Sequence, residues 1–168
     1  MWAERRVCDI FDSTLFPECS DRHRKYHSGA ALPGEAIPLQ QPANAYAAKG
    51  MYREALAEYE KYAAFIPGNP LALAYVGYAH ARLGERNRAL RGLEQLRAAS
   101  TQRYVPAVSY ALVYVGLGEK EQAFTWLEKA CEERTNFLAY LKVHAIWDPY
   151  LRSDPRFKDL LRRVGLSQ

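Results

Sequence analysis

Across residues 52–65, apolar side chains fall at Ala55, Leu56, Tyr59, Tyr62 and Ala63, while Arg53, Glu54, Glu58, Glu60 and Lys61 lie largely outside that set. Offsets of i, i+1, i+4, i+7 and i+8 trace one face of a 3.6-residue period, which predicts an amphipathic helix. The same stripe returns at Ala123, Phe124, Leu127, Ala130 and Cys131. Leu71 to Leu83 is apolar on most sides, as expected of a helix sandwiched between neighbours. The uncharged run from Tyr62 to Ala81 is interrupted by Pro67, Gly68, Asn69 and Pro70, so it predicts a turn and not a membrane span.

Shifting the chain against itself by 34 residues aligns five columns. They are Ala43, Gly77 and Ala111; Tyr46, His80 and Tyr114; Gly50, Gly84 and Gly118; Ala55, Ala89 and Ala123; and Tyr59, Leu93 and Leu127. A fixed period of this length marks supersecondary units that bury their apolar faces against each other. Each unit reads as two helices. The glycine falls where the first helix must stop, because glycine takes the left-handed conformation that closes a helix at little steric cost. The alanine falls where the two helices cross, facing the small residue twelve positions earlier, which lets the axes approach to roughly 8–10 Å.

These columns resemble the tetratricopeptide repeat family, with copies at 36–69, 70–103 and 104–137. Pro67 matches the proline that commonly ends a repeat, whereas Thr101 and Thr135 replace it in the later copies and Tyr62 stands where alanine is usual. The following stretch, "FLAYLKVHAIWDPYLRSDPRFKDLLRRVGL", is similar to the ends of bacterial tetratricopeptide arrays attached to winged-helix regulators, kinases and cyclases. Tyr150 is extra there, and His144-Ala145 stands where Asp-Pro is frequent. On physical grounds alone, Asp154 is predicted to cap a helix opened by Pro155, with Phe157, Leu160, Leu161 and Val164 on one face and Gly165 as its stop. Such a helix would cover the open end of the stack. The expected fold is therefore all-α: a right-handed superhelix of three helical hairpins over 36–137, with a capping segment at 138–168.

The period fails upstream, where Asp9, Phe16 and Asp21 fall in the columns of Ala43, Gly50 and Ala55. Residues 1–40 are expected to be a poorly ordered leader, and helix is expected only from about Pro42, since Pro33, Pro38 and Pro42 crowd this region. The leader holds Cys8, Cys19, His23 and His27, but the gap between the cysteines departs from a zinc knuckle, so no metal is expected.

Composition changes this picture little. The 168 residues are 49% hydrophobic and 25% charged, with a formal charge of +4. Three scattered cysteines suit a reducing compartment, and "MWAERRVCDIF" has no apolar region of a signal peptide, so a cytoplasmic location is expected. No G-x-S-x-G, phosphate-binding glycine loop or H-E-x-x-H occurs, and His80 and Cys131 read as packed side chains. Neither an enzyme nor a cofactor or small-molecule substrate is expected. Arg82, Arg86, Arg88, Arg91, Arg97 and Arg103 cluster in the second copy alone. They read as solvated helix faces, because a nucleic-acid reader needs side chains from every repeat.

The family resemblance implies a binding face built from the first helices. By its register this face offers Gln40 and Asn44, then Ala74, Tyr75, Tyr78 and Arg82, then Val108, Ser109, Leu112 and Val115. Of the polar residues with which some members clamp carboxylate tails, only Asn44 is present; Tyr75, Val105 and Ser109 replace others. A peptide burying an apolar side chain against Tyr75, Tyr78 and Leu112 is the better match, with Arg82 pairing an acidic group. The expected role is a non-catalytic scaffold or adaptor for a protein or peptide partner, in bacterial signalling. The alternatives are a regulatory fragment of a winged-helix, kinase or cyclase system and, last, nucleic-acid binding.

Overall fold

The structure, a computed structural model, describes residues 33–142, 144, 146–147 and 149–166. Cys8, Cys19, His23 and His27, and with them most of the expected leader, lie outside the described residues. The chain forms α1 (Pro33–Ala48), α2 (Tyr52–Phe65), α3 (Pro70–Arg82), α4 (Arg86–Ser100), α5 (Ala107–Leu117) and α6 (Lys120–Glu132). A 3-10 turn (Asn136–Tyr140), α7 (Pro149–Arg152) and α8 (Pro155–Arg163) follow, and no strand occurs among the described residues. The pairs α1–α2, α3–α4 and α5–α6 are helical hairpins, and α3 also lies along α5. No helix among the described residues is long and apolar enough to cross a membrane.

The periodic glycines close the first helix of each hairpin in the same way. Gly50, Gly84 and Gly118 have φ of 75°, 80° and 75°. At each site the next residue's N–H reaches back to a carbonyl five residues earlier: Met51 to Tyr46 (2.9 Å), Glu85 to His80 (2.9 Å) and Glu119 to Tyr114 (3.0 Å). The glycine N–H meets Ala47, Ala81 or Val115 in turn. This pair of hydrogen bonds satisfies carbonyls that a helix end leaves open, and it requires a left-handed residue. At the end of α6 the same pattern is built on Arg134, at φ 49°, where the chain turns into the 3-10 segment.

Helix starts are equally local. The Asn69 carboxamide accepts from the N–H groups of Leu71 and Ala72, with Pro70 in the first helical position of α3. The Glu133 carboxylate reaches across from the end of α6 to the Ala107 N–H at 3.0 Å, binding one of the open donors of α5. Helix α1 departs from expectation, since it begins at Pro33 and contains Pro38 and Pro42. Pro33 costs nothing at a helix start, whereas each later proline withholds a donor from the turn before it, which is why the pattern places the start near Pro42.

Small residues set the spacing of the helices. Ala43, Ala55, Ala89, Ala111 and Ala123 are fully buried. Gly92, one turn beyond Ala89, meets Gly77 so closely that an added Cβ would lie 3.5 Å from the Gly77 Cα. A Cβ on Gly116 of α5 would come within 2.8 Å of the Tyr78 carbonyl oxygen of α3, so these two helices run almost backbone to backbone. The period does not mark Gly92 or Gly116.

The final helix follows its sequence signals. Asp154 accepts from the Arg156 N–H at 2.9 Å, Pro155 opens α8, Phe157 and Leu160 are buried, and Gly165 ends the helix at φ 75°. Helix α8 packs on α6. Lys120 joins Asp154 at 2.8 Å, and Arg156 binds both oxygens of Glu121 at 2.8 Å while lying over the Phe124 ring.

Candidate functional site

The first helices of the hairpins carry the residues expected to line a binding face, but they do not present them to solvent. Ala74, Tyr75, Tyr78, Val108, Leu112 and Val115 are buried, as is Ser109, and Asn44 and Arg82 are half-buried. Part of the reason is the close approach of α3 and α5 at Gly116. At Asn44 and Tyr75 the chain that follows the last hairpin adds to the cover.

That chain returns to α1 and α3 through His144. Its Nε2 lies 3.2 Å from the Asn44 Nδ2 and 3.2 Å from the Tyr75 hydroxyl. The Tyr59 hydroxyl of α2 donates to the Asn44 Oδ1 at 2.8 Å. With the Asn44 oxygen placed on this donor, its amide N–H faces His144, and Nε2 serves as the acceptor of a neutral imidazole. The Nδ1 is buried and has no hydrogen-bond partner among the described residues. Burial, with the Arg152 charge second, lowers the His144 pKa to about 4. Burial likewise pushes the Tyr59 hydroxyl above the ordinary phenol range, so it stays a donor.

Aromatic rings continue the contact. Tyr59 stacks on Tyr75 with centroids 4.9 Å apart, and Tyr75 stacks on the imidazole at 6.0 Å. Phe137 of the 3-10 turn lies 5.6 Å from the imidazole and 6.2 Å from Trp147, which is fully buried. Arg152 of α7 ties the segment from behind by donating to the carbonyls of Lys142, His144 and Trp147 at 2.8–2.9 Å.

Asn44 and Tyr75 are thus brought together, whereas Arg82 belongs to a separate cluster. Its guanidinium donates to the Tyr52 hydroxyl at 2.7 Å, and Tyr52 meets Tyr78 edge-on. His80 is a packed side chain, its Nδ1 2.7 Å from the Glu85 carboxylate. Cys131 is only half-buried, and that burial raises its pKa. The arginine run is largely engaged within the fold: Arg86 with Glu119, Arg88 with Glu85, and Arg97 with the Tyr114 hydroxyl. The sequence marks His144 only as a departure from the Asp-Pro frequent at that place, and it marks Phe137 and Trp147 not at all.

Fold and site together define an all-helical protein of stacked helical pairs whose first helices hold a returning segment of their own chain. No family model, curated protein or solved structure matches it.

Proposed function

We propose that this chain is a non-catalytic protein-interaction module of tetratricopeptide type, a scaffold or adaptor that holds a peptide segment on the side of α1 and α3. One observation carries the reading. Asn44, Tyr59 and Tyr75, contributed by the first two hairpins, hold an irregular stretch of polypeptide by hydrogen bonding and ring stacking at His144. Recognition of peptides by helical scaffolds uses the same means, a few oriented polar groups among aromatic and apolar walls. The in-register glycine closures support the family assignment, and the resemblance of the tail supports a place in bacterial signalling. The scattered cysteines support a reducing compartment such as the cytoplasm.

Panning a displayed library of random peptides against the folded chain tests this reading. Enrichment of related sequences whose binding is lost in Asn44→Ala is the expected result. Failure to enrich any family, or binding indifferent to changes in α1 and α3, rejects it.

A further inference from the structure

The described residues of 136–147 belong to no hairpin. They include the 3-10 turn Asn136–Tyr140, which follows the left-handed Arg134, and the His144 imidazole, which makes polar contact with the first two hairpins. Among the described residues, His144 Nδ1 and Trp147 Nε1 are buried and meet no hydrogen-bond partner, so the polar contact of this segment with Asn44 and Tyr75 is made through Nε2.

We propose that the Asn44–Tyr59–Tyr75 face is a peptide-docking site with the 136–147 segment as its resident occupant. Its external ligand is then a peptide presenting an unprotonated imidazole between aromatic residues, which binds by displacing that segment. This rests on the function proposed above and names the chemistry of the partner. The donors of Asn44 and Tyr75 converge on one point, which calls for an acceptor there, the part the His144 ring nitrogen plays in the resident segment. The stacked Tyr59 and Tyr75 rings select a flat group, and the Phe137 and Trp147 positions select aromatic flanks.

Protonation opposes docking for the same geometric reason. An imidazolium would turn an N–H toward the Asn44 amide N–H and would take from Tyr75 the acceptor of its hydroxyl proton. Among the described residues, the groups around it are the Asn44 amide, the Tyr59 and Tyr75 phenols, the Phe137 ring and the Arg152 guanidinium bonded to the His144 carbonyl, and none of them supplies a carboxylate. With a bound pKa of about 4 and a free value of about 6.5, docking weakens about 30-fold between pH 7.5 and pH 5.

The test uses the full chain and a fluorescein-labelled synthetic peptide of residues 136–148, read by anisotropy. At pH 7.5 the His144→Ala chain, whose own segment competes poorly, is expected to bind the peptide at least about tenfold more tightly than the unmodified chain. Replacing the peptide's histidine by alanine, or lowering the pH to 5, is expected to remove most of that binding. Equal binding by both chains, or equal binding of the alanine peptide, overturns the proposal. Should the variant fail to fold, amide exchange of the unmodified chain decides the matter independently. The Leu141, His144 and Trp147 amides are expected to open at least about a hundredfold more often than those of α5. If they exchange only with global unfolding, the face cannot be vacated and the proposal fails. A negative result here beside successful panning leaves the interaction module intact and moves its docking face elsewhere.

Discussion

Asn44 accepts from Tyr59 on one side and donates to His144 on the other, so its orientation is fixed by its partners. This has a measurable pH consequence. The His144 pKa falls from about 6.5 in the unfolded chain to about 4 in the fold, so the unfolded state binds the extra proton more readily between these values. Stability from this group is fully present above about pH 6.5 and is lost as the pH falls toward 4. The loss reaches at most about 3 kcal/mol and is expected to be absent in His144→Phe, as urea unfolding at stepped pH would register. A second residue-scale expectation sets two effects against each other. Gly116→Ala improves helix propensity by about 1 kcal/mol, yet its Cβ would lie 2.8 Å from a backbone oxygen and 2.9 Å from the Ala81 Cβ. The clash wins, and a net loss of about 1–3 kcal/mol is expected on chemical denaturation. Neither residue stands out in the sequence. Gly50, Gly84 and Gly118 do, because their role is local backbone geometry repeated in phase, whereas His144 acquires its role only from α1 and α3, far away along the chain.

Helices are legible in the sequence where their signals are short-range. Asn69 with Pro70, and Asp154 with Pro155, each mark a start that the structure contains, and the apolar stripes mark the buried faces. Helix α1 escapes the pattern because interior prolines usually stop a helix, and Pro38 and Pro42 lie inside this one. The crossing of α3 and α4 includes a small-residue contact that the columns do not mark, Gly92 against Gly77. Ala89→Leu, adding bulk beside that contact at a fully buried position, is expected to cost about 1–3 kcal/mol by the denaturation midpoint. At the other end of the stack, Asp154 caps α8 and pairs with Arg156 and Lys120, hydrogen bonds that hold its pKa well below the usual carboxylate range. A depressed acid pKa contributes stability above its unfolded value of about 3.9, and that contribution disappears as the pH drops through the folded one. Asp154→Ala is therefore expected to lower the neutral-pH melting temperature clearly, and more than Asp159→Ala, whose one ion pair with Arg162 is exposed.

For the whole molecule, the repeat explains how three hairpins stack, and the irregular segment after them explains why Asn44 and Tyr75 are covered. Periodicity carries no information about a stretch that breaks the period, so the expected open face and the observed occupied one differ at the segment no pattern describes. The account stands on the contact between residues 44 and 144. A double-mutant cycle combining Asn44→Ala and His144→Ala, followed by urea unfolding at pH 7.5, measures it directly. The account predicts that the two substitutions together cost less than the sum of their separate effects, with a coupling of about 1 kcal/mol, the worth of a half-buried hydrogen bond. Strict additivity would mean that the segment does not rest on the first hairpin and would contradict the occupied face.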